Sequence, residues 1–117
     1  MVLLVAIEHI YILVLETFLW TSARANRVFG VTPEFSEMTI ALAANQGLYN
    51  GFLAAGLAWG LFHKDAKFGT QIKYFFLGCV MVAAIFGAMT VKPSILLVQG
   101  LPALLAFLAV VYTRPTS

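Results

Sequence analysis

Long runs of residues without a single charge constrain this chain more than any other feature of its sequence. Residues 40–62 form one such run of 23 residues, residues 74–91 one of 18, and residues 93–113 one of 21. A helix needs roughly 20 residues to cross the ~30 Å hydrocarbon core of a bilayer. Because lipid cannot satisfy backbone hydrogen bonds, a crossing segment is expected to be helical. Each run therefore predicts one transmembrane helix.

The N-terminal segment, residues 2–20, is also long enough to cross a membrane, although Glu8, His9 and Glu16 interrupt it. Of the 117 residues 62% are apolar and only 10% are charged, whereas soluble domains carry about 25% charged residues. Short loops between successive helices favour an up-down-up-down order. We therefore predict an all-α fold, a four-helix transmembrane bundle in one integral membrane domain over residues 1–117. Its spans are predicted at about residues 2–20, 40–62, 74–91 and 93–113.

The connection between the first two spans carries its own helix signals. Gly30 is a predicted helix stop, because glycine readily adopts the left-handed conformation that ends helices. The next residues combine a hydroxyl cap, a proline at the first helical position and an acid in the first turn: Thr32, Pro33 and Glu34. This order is typical of a helix start. The second helix is therefore predicted to begin near Pro33, outside the bilayer.

Basic residues indicate the orientation of the bundle. In the four-span arrangement, the N-terminus, the loop at residues 63–73 and the C-terminus share one side, with four basic residues: Lys64, Lys67, Lys73 and Arg114. The other side has three: Arg24, Arg27 and Lys92. Since cytoplasmic loops are enriched in Lys and Arg, both termini are expected in the cytoplasm. We expect a multi-pass protein of the cell membrane, surrounded by lipid.

The ionisable groups of the first span are its most informative residues. A carboxylate near a helix centre costs about 2.5–3.5 kcal/mol on insertion scales, whereas each Leu, Ile, Val or Phe contributes about 0.3–0.6 kcal/mol of stabilisation. With 12 such apolar residues in the span, the two effects nearly cancel, so the acids are expected to face the bundle interior. At about 100° per residue, His9 and Glu16 lie only about 20° apart around the helix.

Side-chain amides in the later spans supply candidate partners. Asn45, Gln46, Tyr49 and Asn50 fall within an arc of about 140° on the second span, and Gln99 lies at a similar depth in the fourth. The predicted cluster has eight members: Glu8, His9, Glu16, Asn45, Gln46, Tyr49, Asn50 and Gln99. Three interpretations stay open: polar contacts between helices, a pocket that binds a proton or small molecule, and a metal or haem site. No other span supplies a histidine within it, which disfavours metal.

Two further patterns concern helix packing. Ala43, Gly47, Gly51 and Ala55 form a stripe of small residues at spacing four, and such stripes permit close helix contacts. Gly56 and Gly60 form a shorter pair of the same kind. Pro102 cannot donate a backbone hydrogen bond and would free the carbonyl of Val98. A kink or an opening is therefore predicted beside Gln99.

Several of these motifs also resemble a known family. They are the run from Glu8 to Ile12, the pairs Leu15-Glu16 and Phe29-Gly30 with Phe18 and Trp20, the run from Ala44 to Phe52, and the run from Gln99 to Ala103. Together they resemble the small bacterial membrane proteins catalogued as domain of unknown function 1304. The resemblance covers nearly the whole chain and implies a four-span membrane protein. It implies no activity for any residue.

The function that we favour is binding of a proton or small-molecule ligand by the intramembrane cluster, as in a carrier. One alternative is a membrane enzyme that uses Glu8 or Glu16 with His9 as acid and base on a lipid-soluble substrate. Another is a structural subunit of a larger complex. We expect no cofactor, no metal and no nucleic acid partner, and Cys79, the single cysteine, allows no disulfide within the chain. A carrier of this size would need to form a homodimer to make a transport path, because four helices enclose little volume.

Overall fold

The structure, a computed structural model, describes residues 1–114 of the chain. Over these residues it contains helices and turns but no strands, which confirms the all-α prediction. Six α-helices follow one another: α1 (Val2–Thr17), α2 (Ala23–Phe29), α3 (Pro33–Met38), α4 (Ile40–Phe62), α5 (Ala66–Thr90) and α6 (Leu101–Thr113). A π-helical turn, Leu96–Gly100, leads directly into α6. The long helices α1, α4, α5 and α6 correspond to the four predicted spans.

The predicted number of four helices is wrong, because the connection after the first span folds into two short helices. The hydroxyl of Ser22 accepts a hydrogen bond from the Ala25 N–H and caps α2. Gly30 ends α2 with a left-handed φ of 67°, which confirms the predicted stop. Thr32 caps α3 through the Phe35 N–H, and Pro33 is its first residue, so a helix does begin at Pro33, but it is a separate short helix and not the start of the second span. Hydroxyl caps of this kind satisfy backbone N–H groups that a helix start leaves unpaired.

The limits of the long helices also differ from the predicted spans. α3 ends at Met38 and α4 begins at Ile40, because Thr39 has a non-helical φ of −121° and ψ of 21°. α1 ends at Thr17. α5 begins at Ala66, so most of the loop predicted at residues 63–73 is helical. The cause is Asp65, whose carboxylate accepts hydrogen bonds from two backbone N–H groups of the first turn.

The described residues divide into two compact units, residues 8–52 and residues 1–7 with residues 53–114. All four long helices contribute side chains to the core of the second unit. Its buried members are Val2, Val5, Ala6, Leu57, Leu77, Val80, Ala103, Ala106 and Val110. α5 packs against α6 and against the π-helical turn. The small side chains of Ala103 and Ala106 are fully buried at this contact, since small residues let helices approach.

Glycines permit close helix contacts in each unit. In the second unit a Cβ added to Gly69 would lie 2.7 Å from the carbonyl oxygen of Gly60, so α4 and α5 meet at backbone distance. In the first unit a Cβ on Gly47 would overlap the Thr17 hydroxyl, and one on Gly51 would lie 2.8 Å from Leu13 Cδ1. The stripe predicted from residue 43 onward therefore lies against α1 at these two glycines. It does not continue to Ala55, which is exposed.

Pro102 shapes the chain just before α6. The Leu101 N–H bonds to the carbonyl of Leu96, five residues back, which defines the π-helical turn. A proline ring collides with the carbonyl four residues before it, here Val98. The wider π turn moves the backbone away from this collision. The disturbance predicted beside Gln99 is therefore a π-helical turn that includes Gln99 itself.

Two helices are long and apolar enough to cross a membrane, judged by length and composition over the described residues. They are Ala66–Thr90 and Leu96–Thr113, each with a mean hydropathy of 2.0 in its most apolar stretch. α1 has only 16 residues. α4 has 23 residues but includes Asn45, Gln46 and Asn50, whose amides lower its hydropathy. The four-span arrangement thus stays a prediction, with two of its helices meeting this test.

Two alanine substitutions on α5 test the glycine contact. Gly69→Ala should lower the free energy of unfolding by about 1–3 kcal/mol, because the new methyl group would collide with a backbone oxygen that cannot rotate away. Gly78→Ala is the matched control, since a Cβ there meets no atom within 4 Å. It should leave stability unchanged or raise it by about 0.5–1 kcal/mol. Unfolding in detergent measures both, and equal effects would contradict the close contact.

Candidate binding site

A short hydrogen bond joins α1 to α4 in the unit of residues 8–52. Glu16 lies in the last turn of α1, and its Oε1 accepts a hydrogen bond of 2.6 Å from Asn50 Nδ2 on α4. The same amide group also donates to the carbonyl oxygen of Gln46, at 3.2 Å. Short N–H···O distances are typical of bonds to a carboxylate. The Asn50 side chain is therefore held between Glu16 and its own helix.

Gly47 makes this pairing possible. The position of its missing Cβ lies 3.3 Å from Glu16 Cβ and 3.3 Å from the carbonyl oxygen of Leu13. Any larger residue would push α4 away from α1 and lengthen the bond between Asn50 and Glu16. On α4, Asn50 lies about 60° from Gly47 around the helix axis. The helix face that contacts α1 is thus continuous with the side that carries the amide.

Beside this pair lies a cavity of about 180 Å³, open to the surroundings. It is lined by Glu16, Trp20, Phe35, Thr39, Leu42, Ala43 and Gln46. The lining combines one carboxyl group, one hydroxyl, one amide, two aromatic rings and two aliphatic side chains. Such a mixture, mostly apolar with a few polar groups, is typical of small-molecule sites. Glu16 therefore faces a cavity as well as its amide partner.

Two hydrogen bonds fix the aromatic wall of the cavity. Trp20 Nε1 donates to Thr39 Oγ1 at 3.0 Å, and the Thr39 hydroxyl donates to the carbonyl oxygen of Phe35 at 2.8 Å. The indole also packs edge-to-face on Phe29, with ring centroids 5.0 Å apart. Because the indole N–H is engaged by Thr39, Trp20 can offer the cavity only its ring surface.

The other acidic candidate forms a separate group on α1. The carboxylate oxygen Oε1 of Glu8 lies 4.0 Å from Nδ1 of His9, at the limit of an ion pair. His9 is fully buried. Glu8 lies eight residues before Glu16, roughly 12 Å along the helix axis. The single polar face predicted for α1 is therefore divided into two places with different neighbours.

The other predicted residues of the later spans lie away from Glu16. Asn45 Nδ2 donates to the hydroxyl of Tyr49 at 3.2 Å, one turn along α4, and both side chains are exposed. Gln99 belongs to the other unit, within the π-helical turn. Of the eight predicted residues, Glu16 and Gln46 line the cavity, and Asn50 is bonded to Glu16.

The sequence did not identify the two aromatic residues of the cavity, Trp20 and Phe35, although the spacing of Phe35 and Thr39 was one signal for them. The predicted helix start at Pro33 places Phe35 and Thr39 four residues apart, on the same face of a helix. Trp20 appeared as the end of the first span, where aromatic residues commonly lie at the membrane interface. Its bond to Thr39 depends on the short helices α2 and α3, which return the chain towards α1. No group of three or more His, Cys, Asp or Glu able to hold a metal occurs among residues 1–114.

A double-mutant cycle tests the bond between Glu16 and Asn50. Asn50→Ala should lower the free energy of unfolding by about 1–3 kcal/mol, because it leaves a partly buried carboxyl without its donor. Combining it with Glu16→Ala should cost less than the sum of the single changes. Asn45→Ala is the matched control, since it removes an exposed amide from the same helix. Additive effects of the Asn50 and Glu16 changes would show that the bond does not contribute to stability.

Comparison with known proteins identifies the family of the chain but assigns it no activity. Residues 3–111 match the model of a family described as a protein of unknown function, DUF1304. The chain is also 37% identical over 109 residues to the uncharacterized protein YpaA of Lactococcus lactis subsp. lactis (strain IL1403), covering 92% of this chain and 90% of that protein. No solved structure matches the chain. The match confirms the resemblance seen in the sequence: the chain belongs to the family of domain of unknown function 1304.

Proposed function

We propose that the chain is a four-span integral membrane protein whose Glu16 site binds a proton or a small molecule within the bilayer, as in a carrier. Its outer surface supports the membrane location. Phe75, Val82 and Phe86 follow one face of α5, and each is 66–68% exposed. Soluble proteins rarely leave apolar surface of this extent in water. Lipid chains are the natural covering for such a face.

The two most apolar helices support the same conclusion. Only 22% of the most apolar stretch of Ala66–Thr90, and the same share of Leu96–Thr113, is buried within the protein. The core helix of a soluble protein is covered by its neighbours over most of its surface. An open apolar groove of about 710 Å³ also follows α5 between Tyr74 and Phe86, a lining suited to acyl chains.

The four-span arrangement draws support from the long helices themselves. α4, with 23 residues, is about 35 Å long and exceeds the ~30 Å hydrocarbon core. α1, with 16 residues, is about 24 Å long, and bilayers accommodate shorter helices by local thinning. Both helices supply side chains to the core that α5 and α6 share. This common core favours four packed spans over two spans with a separate soluble part.

The cavity beside Glu16 is the observation that carries the binding proposal. A carboxyl within a span is costly unless it is paired, and such residues commonly mark proton or substrate pathways. A purely structural acid would be sealed by neighbouring helices. Glu16 instead keeps one amide partner and borders an open cavity. This arrangement lets the carboxyl exchange a proton or a cation without breaking the contact between α1 and α4.

Cysteine labelling tests the topology. In a Cys79→Ala background, single cysteines at Ala23 and Ala66, both exposed, should react with an impermeant reagent from opposite sides of the membrane. A single cysteine at Ser117, which lies outside the described residues, should react from the same side as the cysteine at position 66. These changes leave every charge in place, so the orientation signal is unaltered. Reaction of the cysteines at positions 23 and 66 from the same side would contradict four spans.

Infrared spectroscopy tests the site. In lipid vesicles, pH-difference spectra should contain a carboxyl band that Glu16→Gln removes, because the amide keeps the shape of the side chain but cannot take up a proton. Glu8→Gln, on the same helix, should keep that band. Far-ultraviolet circular dichroism should show unchanged helix content in both variants. Identical spectra for the parent and Glu16→Gln, with unchanged ligand binding, would reduce Glu16 to a structural hydrogen-bond partner.

A further inference from the structure

We infer that the ligand of the Glu16 cavity is a small organic cation with an alkylated ammonium head, held between the carboxyl group and the aromatic wall. This inference rests on the proposed function of the same site and adds the chemical class of its ligand. It follows from the charge of the cavity, from its hydrogen-bonding groups, from its rings and from its size.

The charge of the cavity favours a cation. Glu16 is the ionisable residue of the lining. Over residues 1–114, no Lys or Arg side chain forms an ion pair with it. Among the described residues, the hydrogen-bond donor to Glu16 is the neutral amide of Asn50. A ligand that carries positive charge would therefore supply the counter-ion that the protein side chains do not provide.

The polar groups of the cavity are poorly suited to anions and to metal ions. The indole N–H of Trp20 already bonds to Thr39, and the Thr39 hydroxyl proton bonds to the Phe35 carbonyl. Few donors thus remain for an anion. Hard metal cations take about six to eight oxygen ligands, whereas the side chains of this lining offer three oxygen-bearing groups: the Glu16 carboxylate, the Gln46 amide and the Thr39 hydroxyl. An ammonium head covered by methyl groups needs neither hydrogen-bond donors nor a set of oxygen ligands.

The aromatic rings match that head. Cations placed over the face of Trp, and less strongly over Phe, are attracted to the negative face of the ring. Trp20 and Phe35 both border the cavity with Glu16. The bond to Thr39 and the packing against Phe29 fix the indole before any ligand arrives. Because the ring is already oriented, ligand binding incurs little additional loss of conformational entropy.

The volume limits the ligand to a small group. About 180 Å³ corresponds to roughly six water molecules at ~30 Å³ each. Pockets for drug-sized molecules are typically ~300–1,000 Å³. The cavity thus fits a single ammonium head with its alkyl groups, while the rest of a longer ligand would extend out of it.

Fluorescence of the full-length protein tests the inference. Trp59→Phe leaves Trp20 as the single tryptophan, and Trp59 is not part of the cavity. In a maltoside detergent, which carries no ammonium group, choline should change the Trp20 emission saturably. The neutral compound 3,3-dimethylbutan-1-ol has the same shape without the charge and should bind at least tenfold more weakly. Sodium chloride at matched ionic strength should have no saturable effect.

Two variants connect the signal to the cavity. Glu16→Gln should weaken choline binding at least tenfold, because it removes the charge and keeps the shape. Phe35→Leu should weaken it roughly 2- to 30-fold, the range expected for a lost cation–π contact. Leu19→Ala, which changes an exposed residue outside the cavity, should leave the affinity unchanged. If Glu16→Gln does not fold, Phe35→Leu still tests the inference.

Other outcomes distinguish this inference from the proposed function. Equal binding of choline and the neutral alcohol would overturn the inference, because the cavity would then select shape alone. Saturation by sodium with no choline binding would also overturn it, while leaving a cation site at Glu16. A pH-dependent Glu16 carboxyl band without any choline binding would leave a proton site only. Absence of both the band and ligand binding would overturn the proposed function as well.

Discussion

The contact of α1 with α4 at Gly47 is the constraint on which the rest of the site depends. A residue with a Cβ would collide there with the Thr17 hydroxyl, so glycine determines how closely the two helices approach. That approach lets Asn50 reach Glu16 across 2.6 Å. A bare carboxyl in an apolar environment would be strongly unfavourable, and the amide reduces that penalty without adding a charge. Because this partner is neutral, it does not compensate the charge that an ionised Glu16 carries.

Much of the fold could be predicted from local signals in the sequence. The stop at Gly30 and the start at Pro33 follow from residue types that satisfy or terminate backbone hydrogen bonds, and these preferences act within a few residues. The break at Thr39 could not be predicted in the same way. The charge-free run at residues 40–62 gives no sign of this break. The hydroxyl of Thr39 is engaged by Trp20, 19 positions earlier in the chain. Contacts between distant segments set such boundaries, and residue patterns contain little information about them.

In the candidate site, too, local patterns were informative and contacts between distant residues could not be predicted. Helical periodicity places Glu16 and His9 on one side of α1, but it gives only their angle around the helix axis. The structure adds depth and neighbours, and these separate the fully buried His9 from Glu16 at its cavity. On α4, Asn50 reaches α1 whereas Asn45 bonds to Tyr49 on its own helix. An arc of polar residues thus predicts where amides lie around a helix but not which of them finds a partner.

The π-helical turn at Leu96–Gly100 has a consequence for chain length. A π turn holds about one residue more than an α-helical turn over the same rise. Relatives that lack Pro102 would have no steric reason to keep that extra residue. Because the turn accommodates that residue locally, removing one residue between positions 96 and 100 would restore α-helical geometry and leave Ser94 and Ile95 in register with α6. Proline and the extra residue therefore form a pair, since a shortened, regular turn would again bring the ring of Pro102 against the carbonyl four residues before it.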